Sequence, residues 1–342
     1  MMSKQNTIRR IGILTSGGDA PGMNAAIRAV VLAAHQYSIE CIGFFHGYNG
    51  LINQEYRLLD NSSVKDIIHK GGTILKSARC PEMLSETGVK QAVNSLIKLQ
   101  IDALIVIGGD GSFNGMLAIE QHWQGQLIGL PGTIDNDLDG TDFTIGFSTA
   151  INTAIEAIDK IRDTADAFDR VFVVELMGRH SGHIAFNVGI ACGAEQIISF
   201  ENFNANDANK KVNEIVSDIK HHQSQDHQSY LIVLAENLWP NGAQSLSEQL
   251  KLQYSIDCGT CILGHIQRGG SPVAKDRLLA TKLGVAAIEA VLVGKTSIML
   301  GELKTEIEEV TLNDAVQHTK IVAENLVVAH ENILALAAQN KR

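Results

Sequence analysis

The sequence predicts an α/β fold of two doubly wound, Rossmann-like domains with mainly parallel sheets, and three observations carry that prediction. Short apolar runs of strand length recur, among them Ile11 to Thr15, Ala103 to Ile107, Val171 to Leu176 and Tyr230 to Leu234. Such runs read as strands buried on both faces, as parallel strands are between layers of helices. Segments with helical spacing separate them, the alternation expected of βαβ units. The length, 342 residues, exceeds one ordinary core and fits two domains of roughly 100 to 200 residues each.

Hydrophobic residues make up 45% of the chain, enough to fill such cores. The net charge of -10 and a pI near 5.6 argue against nucleic-acid or anionic-membrane partners, which need a broad basic face. Any phosphate ligand must then be held by a few local arginines. Met1 to Arg10 is polar and basic with no apolar run of signal-peptide length behind it. No segment approaches the ~18 apolar residues of a membrane span, so a cytoplasmic protein is expected. The five cysteines are scattered and odd in number, as for reduced thiols rather than a disulfide framework.

Taken in order, Ile11 to Thr15 is a strand, Ser16-Gly-Gly-Asp-Ala-Pro-Gly-Met-Asn24 a glycine-rich loop, and about Ala25 to Ala34 an apolar helix. This loop either lays backbone N–H groups on a phosphate at the positive helix end or is a tight strand-to-helix turn. Cys41 to Phe45 is a second strand, and a polar stretch to Lys70 leads to Gly71-Gly-Thr-Ile-Leu-Lys-Ser-Ala-Arg79. The terminal guanidinium suits a polyphosphate or is a solvated charge. Val89, Ala92, Val93, Leu96 and Ile97 keep helical spacing. Ala103 to Ile107 is a central strand running into Gly108-Gly-Asp-Gly-Ser112 and a helix to about Glu120. Asp110, at a strand end among glycines, is placed to hold Mg²⁺ on nucleotide phosphates, since that ion takes one or two carboxylates plus phosphate oxygens and water.

Leu127 to Leu130 reads as a buried strand that stops at Pro131-Gly132 and opens into Thr133-Ile-Asp-Asn-Asp137. Ligands of open α/β sheets bind beyond the carboxyl ends of the strands. Asp135 and Asp137, two apart, would point the same way in an extended loop, one taking a proton while the other orients it or holds a metal. An Asx-rich turn capping local backbone groups is the alternative. Ala150, Ile151, Ala154, Ile155, Ile158 and Ile161 form the next helical stripe, and Val171 to Leu176 a strand ending in Met177-Gly-Arg-His-Ser-Gly182. Further strands are expected at Gln196 to Phe200, Tyr230 to Leu234 and Cys261 to Leu263, the last opening into Gly264-His-Ile-Gln-Arg-Gly-Gly270. His221 to Ser229 reads as a solvated loop, Asp276 to Val293 as a helix stopped by Gly294, and about Asn313 to Ala338 as one final helix. Cys258-Gly-Thr-Cys261 is either a metal or redox pair or small residues at the start of a strand.

Six motifs stand in one order: S-G-G-D-A-P-G-M-N-A, G-G-T-x-L-x-S-A-R, G-G-D-G-S, P-G-T-I-D-N-D, M-G-R-x-S-G and G-H-I-Q-R-G-G-S-P. Together they resemble the bacterial ATP-dependent 6-phosphofructokinase family from Ile11 to about Gly294. The resemblance implies the phosphofructokinase fold and transfer of the ATP γ-phosphoryl group to the 1-hydroxyl of fructose 6-phosphate. It implies Asp135 as general base, with Thr133 and Asp137 on the reacting oxygen or orienting the base. Gly18, Arg79, Cys80, Gly109, Gly111 and Ser112 would contact ATP, Asp110 its Mg²⁺, and Arg79 and Arg179 the transferring phosphate. Met177, Gly178, Glu236, His265 and Arg268 match sugar-phosphate positions, with Ile134, Ile266 and Gln267 beside them. Arg170 matches an arginine that the family donates from a neighbouring subunit, which implies a homotetramer. The implied domains are discontinuous: 1–146 plus 267–305 for the nucleotide, 147–266 plus 306–342 for the sugar phosphate.

Pyrophosphate-dependent relatives put Asp where Gly111 stands and Lys where Gly132 stands, so two glycines imply ATP. The sequence also departs from the pattern. Gly259 stands where the family has a second intersubunit arginine; the nearest upstream base is Lys251. The loss of one charge-assisted hydrogen bond predicts weaker sugar-phosphate binding by about 1.5 to 3 kcal/mol. Arg28, Arg162 and Glu195 match the family's effector site, while Leu32, Glu55, Gln225 and His227 stand where it has basic residues, which predicts weak control by ADP or phosphoenolpyruvate. A related phosphoryl donor or sugar phosphate, and a non-catalytic regulatory subunit, are the competing expectations.

Overall fold

The computed structural model describes residues 8–224, 229–317 and 320–339. The chain begins β1 (Arg10–Ser16), α1 (Met23–Gln36), β2 (Glu40–Phe44), α2 (Tyr48–Asn53), β3 (Tyr56–Leu59) and α3 (Glu86–Lys98). It continues β4 (Ala103–Gly108), α4 (Asp110–Glu120), β5 (Gln126–Thr133), β6 (Ile145–Gly146) and α5 (Phe147–Phe168). Then come β7 (Val171–Leu176), α6 (His183–Ala191), β8 (Gln196–Ile198), α7 (Ala208–Gln223), β9 (Tyr230–Ala235), α8 (Gly242–Tyr254) and β10 (Cys258–Ile262). Last are α9 (Ala274–Leu292), β11 (Ile298–Leu303), β12 (Glu306–Thr311), α10 (Leu312–Gln317) and α11 (Glu324–Gln339).

Two compact units result. Unit 1 comprises Met1–Ile134, Leu138–Thr149 and Arg268–Thr319, and unit 2 comprises Asp135–Asp137, Ala150–Gln267 and Lys320–Arg342. Unit 1 holds an eight-stranded sheet in the order β12-β11-β5-β4-β1-β2-β3, with β6 paired to β5. Only β3 and β12 run antiparallel to their neighbours. Every residue of β4 is buried, as its unbroken apolar run requires. Unit 2 holds a four-stranded parallel sheet, β10-β7-β9-β8. Val173, Ile232, Leu234, Val212, Ile215 and Leu246 share its core. The fold is the expected α/β class with mainly parallel sheets. Among the described residues no helix is long and apolar enough to cross a membrane.

Four expectations change. The strand expected to stop at Pro131-Gly132 runs to Thr133. Proline is tolerated there because β11 pairs with β5 only at Ile128 and Gly129, so no ladder bond is lost on that side. β10 begins at Cys258, three residues before the expected Cys261, because β7 offers Val171 as its parallel partner. The single helix expected over Asn313 to Ala338 is α10 and α11, preceded by the unexpected β11–β12 hairpin, so β12 joins the sheet of unit 1. Its turn, Lys304-Thr305, has φ of 50° and 76° without the Asn or Gly that usually marks such a turn. The loop expected from His221 instead begins inside α7; residues 225–228 lie outside the described residues.

Candidate active site

Strand register in unit 1 brings three motifs to one sheet edge. Ser16 pairs with Gly108, and Gly108 with Pro131. The loops that follow β1, β4 and β5 therefore emerge side by side at the carboxyl ends of parallel strands. Neither α1 nor α4, which those loops feed, has a side-chain cap at its N-terminus. Their first N–H groups are thus oriented as phosphate donors are at helix starts.

The segment Gly71 to Arg79 is pinned to the first of these loops. Asn24 donates to the Lys70 and Gly71 carbonyls and accepts from the Ile74 N–H at 2.8 Å. Thr15 donates to the Lys76 carbonyl and Ser77 to the Gly17 carbonyl. Arg79, exposed, and Cys80, half-buried, follow directly. The Cys80 thiol lies 3.4 Å from the Glu82 carboxylate, and burial pushes its pKa up, so it stays a thiol. Gly71 must lack a Cβ, since one would stand 2.3 Å from the Gly270 carbonyl oxygen.

Gly111 has open space where a Cβ would stand, whereas one on Gly132 would meet Ile107 at 2.9 Å and Met23 at 3.1 Å. Side chains at these two positions would respectively fill that space and press on β4. Asp110 is half-buried at the first turn of α4, and a Cβ on Gly109 would stand 3.7 Å from the Thr133 Cβ. Ser112 is buried. Among the described residues there is no cluster of three or more His, Cys, Asp or Glu side chains fit to hold a metal. A single carboxylate fits Mg²⁺ that arrives on phosphate oxygens, not a resident ion. Arg268, expected with the sugar-phosphate residues, donates to the Asp19 carbonyl at 3.1 Å and lies against Gly18 within unit 1.

Unit 2 gathers the other set. Parallel pairing sets Leu176 beside Ala235 and Glu175 beside Ile262, so the segments after β7, β9 and β10 are neighbours. Gln267 accepts from the Met177 N–H at 2.8 Å. One Glu236 oxygen accepts from the Gly178 N–H at 3.1 Å and the Arg179 N–H at 2.8 Å. Asn237 donates to the Arg179 carbonyl at 3.2 Å. Asn237 sits at φ 60°, a left-handed conformation open to asparagine, and Arg179 at φ 59°, one that arginine does not adopt without support. The exposed Arg179 side chain therefore stands on a backbone held at three points. His265 and Ile266 are exposed. Asp135 and Ile134 are buried, and Ser181 donates to the Asp135 carbonyl at 3.0 Å. Asn136, at φ 52°, turns the chain between Asp135 and Asp137, so the alternation of an extended loop does not apply.

Arg170 is exposed, paired with Asp257 at 3.1 Å and stacked on Phe168. Arg162 is engaged at every side: both Glu195 oxygens at 3.0 and 3.1 Å, and the Cys192 and Gly193 carbonyls. Arg28 is half-buried in α1, one turn from Leu32; Glu55 is exposed, and Gln225 and His227 lie outside the described residues. Gly259 lies inside β10, where a Cβ would meet the Phe172 ring at 2.6 Å. Cys258 and Cys261 are three apart on one strand, hence on opposite faces, and burial pushes the Cys258 thiol up to about 11. That excludes a shared metal or a disulfide between them.

Ser181, Asn237 and Asn24 had no assigned role from sequence. Ser181 and Asn24 lie inside quoted motifs, which was their one signal; Asn237 had none. A cavity of about 880 Å³ lined by Ile97, Trp123 and Leu292 opens at the amino ends of β4 and β5 and holds none of the expected site residues.

A family model described as Phosphofructokinase matches residues 10–291. The chain is 48% identical over 314 residues to the ATP-dependent 6-phosphofructokinase 1 of Thermus thermophilus, covering 92% of this chain and 95% of the relative. It is 47% identical to the ATP-dependent 6-phosphofructokinase of Clostridioides difficile, covering 92% and 96%. Among solved structures, phosphofructokinase from Saccharomyces cerevisiae superposes with a TM-score of 0.83 at 34% identity, over 95% of this chain and 47% of the yeast chain. The pyrophosphate-dependent phosphofructokinase of Marinobacter aquaeolei shares the fold, with a TM-score of 0.78 at 23% identity over 93% of this chain and 86% of that one. By a family match across most of its length and relatives nearly half identical, the chain belongs to the phosphofructokinase family.

Proposed function

We propose that this chain is an ATP-dependent 6-phosphofructokinase, converting fructose 6-phosphate and ATP to fructose 1,6-bisphosphate and ADP in glycolysis. The observation that carries this is the 48% identity, over 92% of the chain, to a relative named for that activity. Glycine at 111 and at 132 supports ATP as donor, because the space over Gly111 stays open.

Unit 1 takes ATP through the N–H groups after β1 and β4, with Gly18, Gly109, Gly111, Ser112, Arg79 and Cys80. Asp110 would hold Mg²⁺, which when bound would neutralise charge on the phosphates. Unit 2 takes the sugar phosphate through Met177, Gly178, Arg179, Glu236, His265, Ile266 and Gln267. Arg268, at the start of the last segment of unit 1, is read with the same sugar-phosphate set. The 1-hydroxyl oxygen forms its bond to the γ-phosphorus as the bond to the ADP oxygen breaks, and the hydroxyl proton goes to Asp135. Thr133 and Asp137 orient that carboxylate, and Arg79 and Arg179 offset the charge spread over the transferring group. Arg170, exposed and loosely paired, completes the site of a neighbouring copy in a cytoplasmic homotetramer. Arg162, with both terminal nitrogens already engaged in four contacts, leaves an effector phosphate little to bind.

Initial rates against fructose 6-phosphate with Mg-ATP, then with Mg-pyrophosphate, test the reading. Turnover with ATP alone is expected. Turnover with pyrophosphate alone would overturn the donor, and none with either, alongside measurable ATP binding, would favour a regulatory subunit.

A further inference from the structure

We infer that Asp276 and Thr149, which contact neither substrate in the assignments above, are positioning residues that set Thr133 and the loop leading from it to Asp135. The inference rests on the phosphofructokinase reading.

Asp276 lies on the first turn of α9 and is fully buried. One of its oxygens accepts from the Thr149 N–H at 2.7 Å and from the Thr149 hydroxyl. The backbone N–H groups of Gly146 and Ser148 face the same carboxylate. These donors form the start of α5, where the helix dipole favours an anion. The Thr149 hydroxyl oxygen also accepts from the Val273 N–H at 3.0 Å, just before α9. The starts of α5 and α9 are thus tied through one carboxylate and one hydroxyl.

The second Asp276 oxygen has no hydrogen-bond partner, and burial raises the pKa of the group. An apolar pair of similar volume would join two helices without that cost. What the carboxylate adds is direction: it fixes where the N–H groups of residues 146 to 149 point. Those residues follow directly on the segment that grips the catalytic loop. Ile145 and Gly146 pair with Gly132 and Thr133, and the Thr144 hydroxyl donates to the Thr133 carbonyl at 2.6 Å. Gly146, at φ 103°, would also press a Cβ to 2.6 Å from Ala20 in the loop after β1. A Cβ on Gly22, which caps α1, would stand 3.5 Å from the Asp276 Cβ. The buried anion therefore backs Thr133 and the first glycine loop at once, all within unit 1. Misplacing reacting groups by about 1 Å costs on the order of 100-fold in rate.

The test compares the full-length wild type with Thr149→Val, Thr149→Ser and Asp276→Asn, reading kcat, KM for both substrates and the thermal midpoint. Ser247→Ala, which removes a buried hydrogen bond to the Cys258 carbonyl in unit 2, serves as a stability control. Thr149→Val and Asp276→Asn are expected to lower kcat by about 10- to 100-fold with KM little changed. Thr149→Ser should restore most of that rate, and Ser247→Ala should lower the midpoint with kcat intact. A folded Thr149→Val enzyme with unchanged kcat would overturn the inference, as would Thr149→Ser behaving like Thr149→Val. If Asp276→Asn does not fold, the Thr149 pair decides. A wild type without turnover sinks the phosphofructokinase reading itself; an active wild type with unaffected variants sinks only this inference.

Discussion

Unit 1 and unit 2 hold their site loops by different physical means. In unit 1, besides side-chain bonds such as those of Asn24 and Thr15, the loops depend on close backbone approach at glycine, as where Gly71 meets the Gly270 carbonyl and Gly146 meets Ala20. In unit 2 the loop after β7 is held by side-chain acceptors and donors from far along the chain. Gln267 is 90 residues from Met177, and Glu236 is 57 from Arg179. The glycine device is tolerant of charge and open to a phosphate. The clamp instead holds Arg179 in a left-handed conformation that it would otherwise leave.

The largest test of this division lies at the base. Asp135→Asn should lower kcat by about 10²- to 10⁴-fold and leave Mg-ADP affinity unchanged, since nucleotide contacts are assigned to unit 1. Isothermal titration beside a rate assay checks both, and a small loss of rate would move the proton transfer elsewhere.

Next in size is a pH effect confined to unit 2. His183 is buried, 3.1 Å from the Lys320 carbonyl oxygen, and burial aided by the Lys320 charge holds its pKa at about 4 against an ordinary 6.5. The unfolded chain therefore takes up the proton first as pH falls. The stability this ring contributes is whole above about pH 6.5 and is lost on the way down to about pH 4, up to about 3 kcal/mol. Urea unfolding across that range should show a steeper loss in wild type than in His183→Gln. Parallel losses would exclude His183 as the cause.

The two devices themselves can be broken separately. Glu236→Ala removes a charged acceptor from two N–H groups, about 1.5 to 3 kcal/mol, and should lower kcat/KM for fructose 6-phosphate by about 10- to 150-fold. Gly71→Ala should instead act on stability, by about 1 to 3 kcal/mol in thermal unfolding, because a backbone oxygen stands where the methyl must go. If Gly71→Ala unfolds like wild type, glycine approach is not what holds unit 1.

The smallest effect concerns Gly259. Arginine there alone should not tighten fructose 6-phosphate, because the Phe172 ring occupies the side-chain path. Paired with Phe172→Ala it should lower the half-saturating concentration by about tenfold. A single Gly259→Arg variant that already does so would show that the ring yields.

Much of the fold was legible because β4, β7 and β9 are near-continuous apolar runs, and two-sided burial leaves no other reading. β12 was not, since its EIEEVT sequence is mostly exposed at a sheet edge and its turn lacks Asn or Gly. The extension of β5 through Pro131 was hidden for a similar reason: only the short reach of β11 makes proline harmless there. In the candidate site, the glycine loops and Asp110, Asp135, Arg79 and Arg179 could be named from local pattern. Asn237, Ser181, Thr149 and Asp276 could not, because each acts on a residue that only strand and helix packing brings near.

By itself the sequence determined the fold class, the family resemblance and which residue types stand at each strand end, since apolar period, glycine placement and charge are local properties. The tertiary structure alone decided which groups those side chains hold: the three-point grip on residues 177–179, the four contacts of Arg162, the blocked path at Gly259 and the buried anion behind Thr133. A hydrogen bond or a steric block depends on ångström distances between segments tens to hundreds of residues apart, and those distances exist only once the sheets have formed.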